Sequence, residues 1–332
     1  MYEQPYHRSD LSKLSFLVTG GAGFIGSNIV EYLLKHNAGH VRVLDNLATG
    51  SMDNIREFEG VPAFEFIRGD IRDYDACAEA CEGIQLICHQ AALGSVPRSL
   101  RDPVGTHEVN ATGFIHMLEA ARESGVRRIV YASSSSVYGD DAEMPKKEGK
   151  LGIPISPYAV SKLNNEQYAG VFARLFRMDI IGLRYFNVFG PKQDPSGPYA
   201  AVVPIFINSM LTDLPTYIDG DGMQTRDFTF VENAVQANIR SLTLDGHHAA
   251  GQVFNVAVGK NWTVLDLFNT VASALGVKAK PQFREARAGD IHDSLADIST
   301  TKKVLGYDPT MHLEEGIKKS VAFFKSKAPV KP

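Results

Sequence analysis

The sequence predicts an α/β fold in which a doubly wound parallel sheet is joined by a smaller mixed α/β domain. Short β-type runs alternate with helical stretches from Ser15 to Pro191, and such alternation is typical of parallel sheets. A glycine-rich turn links the first strand to the first helix. Past Pro191 the sequence changes to turns and irregular helices, so the smaller unit is expected there.

Composition narrows the classes of protein that fit. The chain has 332 residues, of which 44% are hydrophobic and 22% charged, as expected of a soluble protein with one or two domains. Its net charge of -4 shows no basic excess, so neither nucleic acid nor a membrane surface is expected as a partner. No apolar run approaches the roughly 18 residues of a membrane span. Because Met1–Lys13 also lacks the apolar core of a signal peptide, a cytoplasmic protein is predicted.

Three cysteines lie close together in the sequence: Cys77, Cys81 and Cys88. The first two can share one helix face, and the third falls in the next predicted strand. A metal site would need a fourth ligand, and the only one nearby is His89, on the opposite strand face from Cys88. Small buried side chains are the simpler interpretation, and no metal is predicted.

The first predicted strand, Ser15–Thr19, runs directly into a turn with three spaced glycines: Gly20, Gly23 and Gly26. A helix over Ser27–Leu34 follows. This order predicts a dinucleotide site, because glycines let the backbone approach a pyrophosphate and the helix N-terminus offers N–H donors. The second strand, Val41–Leu44, is followed by Asp45. A carboxylate there suits the ribose hydroxyls of NAD and repels the 2′-phosphate of NADP.

Later β-type runs predict further strands of the sheet: Phe64–Ile67, Leu86–His89, Arg127–Ala132 and Asp179–Arg184, with Val253–Val256 returning as another. Further helices are predicted at Ala76–Glu82, Thr106–Ser124 and Pro157–Phe176. The nucleotide-binding domain is therefore expected over 1–189 plus about 229–260, and the smaller domain over 190–228 plus 261–332.

The stretch Ser156–Lys162 predicts a catalytic pair. Pro157 suits the first turn of a helix, and Tyr158 and Lys162 then lie one above the other on one face. A phenol with an ordinary pKa of roughly 10 needs a nearby positive charge to lose its proton near neutral pH. Four serines, Ser133–Ser136, follow the fifth predicted strand at the end where parallel sheets bind ligands, so a functional hydroxyl is expected among them.

Two separated arginines, Arg226 and Arg287, lie in the second half of the chain. Either one alone would be an ordinary surface residue. Paired guanidinium groups, however, are suited to a diphosphate, because each presents a planar set of donors to phosphate oxygens.

Together these residues resemble the extended short-chain dehydrogenase/reductase family, roughly from Ser15 to Phe324. The resemblance rests on these segments: Gly20–Gly26, Asp45, Asp70-Ile71, His89–Ala92, Ser134, Tyr158 with Lys162, and Leu183–Pro191. Within the family the chain is most similar to bacterial UDP-N-acetylglucosamine 4-epimerases of the group that prefers N-acetylated sugars. The closer match lies in Ser134–Gly139, Ser156–Lys162, Gly182–Gly190, Tyr199–Pro204, Gly220–Phe228 and Gly289–Asp297.

The resemblance implies a role for each matching residue. NAD would be held by Phe24, Ile25, Asp45, Asn46, Asp70, Ile71, Gln90, Ala91 and Lys162, with Tyr185 near the nicotinamide. Ser134 and Ser135 would bind at the reacting carbon, and Tyr158 would be the base, its pKa lowered by Lys162. UDP would be bound by Asn187, Val202, Tyr217, Arg226, Arg287 and Asp290. The N-acetyl-preferring pocket is matched by Gly94, Ser135, Asn187, Gln193, Ala201 and Ser294.

In the implied reaction, Tyr158 removes the proton of the sugar 4-hydroxyl while hydride passes from C4 to NAD. The 4-ketose then turns over and takes the hydride back on its other face, so NAD is expected to stay bound. Dehydratases of this fold place an Asp-Glu pair directly after the catalytic hydroxyl, and UDP-glucuronate decarboxylases carry a Glu in this turn. Ser135 and Ser136 stand at these places, which argues against both reactions.

Two alternatives stay open. Arg98, in the loop that begins at Ser95 near the expected sugar, could favour a 6-carboxylate, as in a UDP-N-acetylglucosaminuronate 4-epimerase. A net NAD-dependent nucleotide-sugar dehydrogenase or reductase is an alternative of another class. The helices Thr106–Ser124 and Pro157–Phe176 resemble the pair through which family members dimerise, and a homodimer is predicted.

Overall fold

The computed structural model describes residues 1–197, 200–285 and 293–327. The strands of these residues are, in chain order, β1 Ser15–Thr19, β2 His40–Asp45, β3 Phe64–Arg68, β4 Leu86–His89, β5 Arg128–Ser134, β6 Asp179–Tyr185, β7 Val188–Phe189, β8 Tyr217–Asp219, β9 Thr225–Arg226, β10 Thr229–Phe230, β11 Val253–Val256, β12 Trp262–Thr263 and β13 Gln282–Arg284. Their α-helices are α1 Phe24–Lys35, α2 Tyr74–Cys81, α3 Val96–Arg101, α4 Pro103–His107, α5 Gly113–Glu123, α6 Pro157–Phe176, α7 Val202–Leu211, α8 Val231–Leu242, α9 Val264–Leu275, α10 Ser299–Leu305 and α11 Leu313–Lys327.

The main sheet of the described residues has seven parallel strands in the order β3-β2-β1-β4-β5-β6-β11. Side chains alternate between its faces, so that Phe16 and Val18 pack with α1 and α8 while Leu17 packs with α2, α5 and α6. Helices therefore cover both faces. The predicted doubly wound sheet of the Rossmann type is confirmed, and Val253–Val256 returns to it as predicted.

The carboxyl ends of the central strands bring the predicted site residues to one edge of the sheet. Thr19 at the end of β1 lies opposite Leu44 and His89 in the strand register. Ser134 at the end of β5 lies opposite Tyr185 at the end of β6. Because parallel strands all point the same way, the glycine turn and Ser134 open onto the same cleft.

Several element bounds agree with the predictions, and the helix predicted over Thr106–Ser124 is found as one helical run that begins at Pro103, ends at Glu123 and contains a π-helical turn. Helix α4 ends at His107, a π-helical turn spans Glu108–Thr112, and α5 begins at Gly113. The side-chain amide of Asn165 donates to the backbone carbonyl of Asn110 within that turn, at 2.9 Å. A tertiary contact thus accompanies the interruption, and no helical periodicity could have shown it.

Smaller sheets build the rest of the described chain. Strand β8 pairs in parallel with β13, β9 pairs in antiparallel with β12, and α9 packs between α7 and α11. One hydrophobic cluster runs from Ile29 and Val235 beside the main sheet to Phe206, Leu267 and Ile317. Because the core is shared, the predicted division into two domains stays an interpretation.

Two further features of the described residues bear on the predictions. Cys77, Cys81 and Cys88 are buried free thiols, and burial raises the pKa of each to about 12. This confirms that they are small buried side chains. In the described part of the chain, no helix combines the length and the apolar character that crossing a membrane requires.

Candidate active site

The turn after β1 is built so tightly that no side chain fits at Gly20 or Gly26. Gly20 has a φ of +67°, and a Cβ there would lie 2.7 Å from the backbone nitrogen of Ala91. A Cβ on Gly26 would lie 2.2 Å from the Gly20 carbonyl oxygen. The amide of Gly23 donates to that same oxygen at 3.0 Å. Bare backbone therefore faces the cleft at the N-terminus of α1, where a pyrophosphate gains N–H donors and a positive dipole end.

Asp45 is the last residue of β2, the strand next to β1 at this edge of the sheet. Its carboxylate is 7% exposed and accepts hydrogen bonds from the amides of Ala22 at 3.0 Å and Leu47 at 2.8 Å. Burial raises the pKa of Asp45, and the two amides act against that rise. These bonds fix the carboxylate beside the glycine turn, as a ribose-binding acid requires.

Asn46 and Asp70 lie beside Asp45. The Asn46 side-chain amide donates to Oδ2 of Asp70 at 2.9 Å, and Nη2 of Arg72 donates to the same oxygen at 2.7 Å. The hydrogen bond from Arg72 is the main reason that the pKa of Asp70 falls to about 2. Asp70 is therefore an anion at any physiological pH.

A cavity of about 670 Å³ runs along this edge. Its predicted lining residues are Gly20, Gly23, Phe24, Ile25, Gly26, Asp45, Asn46, Asp70, Ile71, Gln90, Ala91, Gly94, Ser95, Ser134, Tyr158, Lys162, Tyr185, Asn187, Gln193 and Ala201. The cavity thus joins the expected cofactor residues to the expected catalytic group in one continuous space.

Helix α6 positions the catalytic pair. Ser156 caps the helix by accepting from the Ala159 amide at 3.1 Å, and Pro157 follows at the first helical position, as predicted. Tyr158 is half-buried and lines the cavity together with Ser134, whose hydroxyl acts to lower the Tyr158 pKa. Lys162 is 3% exposed and donates to the carbonyl of Ala132 at 2.9 Å. Strand β5 and helix α6 therefore hold the hydroxyl, the phenol and the ammonium together.

The pKa values of this group follow from burial. Burial raises the pKa of Tyr158, while the hydrogen bond with Ser134 lowers it. Burial also lowers the pKa of the Lys162 ammonium to about 8. Lys162 is not among the causes that shift the Tyr158 pKa. The predicted lowering of the Tyr158 pKa by Lys162 stays a prediction.

Asn110, to which the sequence assigned no role, braces the catalytic helix. Its side chain binds the backbone of Leu93 twice, accepting from the amide at 2.7 Å and donating to the carbonyl at 3.1 Å. It also donates to the Ser161 hydroxyl at 3.1 Å. Asn110 thereby ties the cavity loop at Leu93 to α6, one residue before Lys162.

Asn238 is a second residue that sequence reasoning missed. It is fully buried on α8 and donates to the Tyr185 hydroxyl at 2.7 Å, while its carbonyl oxygen accepts from Gln90 at 3.2 Å and from Cys88 at 3.3 Å. Tyr185, expected near the nicotinamide, and Gln90, expected to hold NAD, are thus bound by one amide. The only sequence signal was an Asn in an otherwise apolar stripe of α8.

A second cavity of about 430 Å³ adjoins the first, and both share Asn187, Val188 and Ala201 in their walls. The predicted residues Val202, Tyr217 and Arg226 line it. Arg284, which was not predicted, lines it too; its guanidinium lies 5.5 Å from the centre of the Tyr217 ring and pairs with Asp219. An aromatic ring and two guanidinium groups suit a nucleotide base and its phosphates.

Some predicted residues lie apart from these walls. Arg98 lies in α3 and its amide donates to the Ser95 hydroxyl, but it is not among the described residues that line either cavity. The same holds for Ser135, in the turn after β5, and for Ser294, whose amide donates to the Thr225 carbonyl at 3.1 Å beside Arg226. Arg287 and Asp290 lie outside the described residues.

Comparison with known proteins decides the family. The profile of the NAD dependent epimerase/dehydratase family matches residues 16–257. The UDP-glucose 4-epimerase of Mycolicibacterium smegmatis is 40% identical over 314 residues, which cover 94% of this chain and 99% of that protein. The chain belongs to the NAD-dependent epimerase/dehydratase family.

Solved structures of this family superpose closely on the enzyme. A UDP-N-acetylglucosamine 4-epimerase from Methanobrevibacter ruminantium M1, in complex with UDP-N-acetylmuramic acid, has a TM-score of 0.89 at 36% identity and covers 95% of this chain and 99% of its own. A UDP-glucuronic acid 4-epimerase from Bacillus cereus, in complex with UDP-glucuronic acid and NAD, has a TM-score of 0.88 at 32% identity and covers 95% and 100%. The prediction of an NAD-dependent nucleotide-sugar 4-epimerase is confirmed.

The residues present fit NAD. The glycine cradle leaves no room for a Cβ at Gly20 or Gly26, and bare backbone is what a pyrophosphate requires. Asp45 is held as a buried acceptor for ribose hydroxyls, and Lys162 is a buried ammonium at the catalytic end of the same cavity. When bound, NAD supplies the hydride acceptor and donor that a 4-epimerase needs.

Proposed function

We propose that this 4-epimerase interconverts UDP-N-acetylglucosamine and UDP-N-acetylgalactosamine. The observation that carries the proposal is the composition of the first cavity's wall, which also contains Ser134 and Tyr158. Gly94 and Ala201 leave space there, and Gln193 carries a buried amide oxygen that has no hydrogen-bond partner among the described residues. An N-acetyl group needs that space, and its N–H is a donor for an unpaired acceptor.

The chain's own residues supply the proton chemistry of this proposal. Tyr158, as phenolate, accepts the proton of the sugar 4-hydroxyl. The Ser134 hydroxyl, which acts to lower the Tyr158 pKa, hydrogen bonds to the sugar 4-oxygen as the proton moves. The buried ammonium of Lys162, one helical turn from Tyr158 and in the same cavity wall, favours the phenolate by its charge. Asn187 stands at the junction of the two cavities, with a φ of +34°, where sugar and nucleotide meet.

The uronate alternative receives less support. A 6-carboxylate needs a cation in the sugar part of the cavity, and Arg98 is not among the described residues of its wall. The dehydrogenase alternative differs in stoichiometry, because it would consume free NAD and accumulate NADH, whereas an epimerase does neither.

The test is NMR of purified protein without added cofactor, incubated separately with UDP-N-acetylglucosamine, UDP-glucose and UDP-N-acetylglucosaminuronate. We expect conversion of the first to its galacto epimer, with no NADH absorbance developing. The Tyr158→Phe variant is the inactive control. Faster conversion of the uronate would identify that sugar as the substrate. Formation of NADH in stoichiometric amounts would identify the reaction as net oxidation and not epimerisation.

A change at Ser294 tests the basis of sugar selection. The resemblance places Ser294 where other 4-epimerases carry a bulky Tyr that excludes the N-acetyl group. Ser294→Tyr should abolish turnover of UDP-N-acetylglucosamine and preserve turnover of UDP-glucose. Equal loss of both activities would show that Ser294 does not select the sugar.

We also propose a homodimer, on a face somewhat different from the one predicted. Helix α6 exposes an apolar stripe: Val160, Tyr168, Val171, Leu175 and Phe176. Beside it, Leu100 is 62% exposed and Val104 is 65% exposed, on α3 and α4, whereas no large apolar residue of α5 is among the exposed ones in the described chain. Such a face is ordinarily covered in an assembly.

The oligomeric test compares two Leu→Glu variants by light scattering. Leu175→Glu on the α6 stripe should give a monomer, while Leu214→Glu, at a similarly exposed leucine of 59% outside the stripe, should not. A wild-type monomer, or an unchanged Leu175→Glu dimer, would contradict this interface.

A further inference from the structure

Glu166 lies on the same face of α6 as the catalytic pair. It follows Tyr158 by eight residues and Lys162 by four, so the three side chains form one stripe. Its side chain is 7% exposed. One carboxylate oxygen, Oε1, accepts from the Ser133 hydroxyl at 2.5 Å. This bond joins α6 to strand β5, one residue before the catalytic Ser134.

Arg184 holds the Glu166 carboxylate in place. Its Nε donates to Oε1 at 2.9 Å and its Nη2 to Oε2 at 2.8 Å, which makes the pair bidentate. The guanidinium is 2% exposed, lies 4.9 Å from the centre of the Tyr138 ring, and donates through Nη1 to the Glu148 carbonyl at 3.0 Å. All three of its nitrogens are thus engaged, so its geometry has little freedom.

These contacts connect three elements around the reacting groups. Strand β5 carries Ser134, α6 carries Tyr158, and β6 carries Arg184. A second tie between α6 and β5 is the bond from Lys162 to the Ala132 carbonyl. A buried ion pair adds little net stability, because desolvation offsets its attraction, but it specifies a geometry strongly. The specified geometry here is the alignment of Tyr158, Lys162 and Glu166 on α6 with the end of β5.

We propose that Glu166, held by Arg184 and bound to Ser133, is a positioning residue that sets the contact between the Ser134 hydroxyl and the Tyr158 phenol. It touches neither substrate nor cofactor. The inference rests on the proposed epimerase chemistry of this site and adds to it a pair that controls the proton-transfer geometry.

Ser133→Ala is the decisive variant, because it removes one hydroxyl and leaves the ion pair intact. We expect kcat to fall about tenfold with KM within about twofold. Misplacing a reacting group is costly, while the Ser133 hydroxyl, although in the cavity wall, is bound to Glu166. The Tyr158 pKa should rise, because Ser134 acts to lower it and would be displaced. Ser136→Ala is the matched control: the Ser136 hydroxyl is buried with no hydrogen-bond partner among the described residues. It should leave kcat and the titration unchanged.

The titration makes the test independent of the substrate. Phenolate absorbance of each variant is recorded against pH, and that of the same variant carrying Tyr158→Phe is subtracted, so only Tyr158 is read. If wild type turns over no N-acetylated sugar, the proposed function fails while this measurement still decides the inference. Glu166→Gln and Arg184→Lys should shift Tyr158 in the same direction, provided that they fold.

Two results would overturn the inference. One is a Ser133→Ala variant with wild-type kcat and an unshifted Tyr158 titration. The other is a lowered melting temperature with kcat and KM changed together and Tyr158 unmoved, which would make the pair purely structural.

Discussion

Gly26→Ala tests whether the glycine turn is held by backbone contacts on every side. A Cβ at this position would lie 2.2 Å from the Gly20 oxygen and 2.8 Å from the Gly20 carbonyl carbon and the Gly21 Cα. All three are backbone atoms, so no side-chain rotation can relieve the clash. Gly20 cannot retreat, because it lies against Ala91 and its own amide donates to the Leu44 carbonyl at 2.8 Å.

Helix α1 must therefore move away from the turn by about 1 Å, since an ordinary contact of this kind needs at least 3.4 Å. Overpacking of this kind costs about 1–3 kcal/mol, which corresponds to roughly fivefold to 150-fold in NAD affinity if the strain falls on the bound state. The displaced helix N-terminus also turns its donors away from the pyrophosphate. Lower NAD content with a folded protein is the expected result.

The assay is nucleotide released from the purified variant per chain, with the melting temperature measured in parallel. Gly149→Ala is the control, because a Cβ there meets no described atom within 4 Å and the residue is exposed. It should keep the wild-type NAD content. A Gly26→Ala protein with full NAD content and wild-type affinity would refute the account of the turn.

Two further predictions follow from buried titratable side chains. Asp45→Ser removes the carboxylate that repels a 2′-phosphate, so the preference for NAD over NADP should fall by about tenfold or more in competition binding; an unchanged preference would contradict the role of Asp45. His89 is 3% exposed, and burial, helped by the charge of Lys162, lowers its pKa to about 3. Because unfolded His binds a proton below roughly pH 6.5 and folded His89 does not, stability should fall as pH drops through this window, by about 3 kcal/mol near pH 4.5. In urea unfolding, His89→Gln should reduce the pH dependence of the free energy of unfolding. An unchanged pH dependence would contradict the assignment of this effect to His89.

Features that depend on local sequence were predictable, and features set by tertiary contact were not. Strands β1 and β4 and helix α6 follow from local pattern, since apolar runs, glycines and a Ser-Pro cap act within a few residues. Asn238 could not be assigned, because its partners Gln90 and Tyr185 are distant in the chain and meet only in the fold. The run of four serines shows the limit within one motif. Only the fold separates Ser133, whose hydroxyl binds Glu166, from Ser134, which lines the cavity with Tyr158.

The contacts of Glu166 also explain why the Lys162 ammonium forms no ion pair on α6. A carboxylate four residues after a lysine on a helix ordinarily pairs with it, which would raise the lysine pKa and occupy its donors. Here Glu166 is taken by Arg184 through two hydrogen bonds, and Lys162 donates instead to the neutral Ala132 carbonyl. Its pKa accordingly falls to about 8 rather than rising. By sequestering Glu166, Arg184 leaves a buried ammonium without a counter-charge beside Tyr158, and such an ammonium binds a ligand hydroxyl or stabilises a phenolate most strongly.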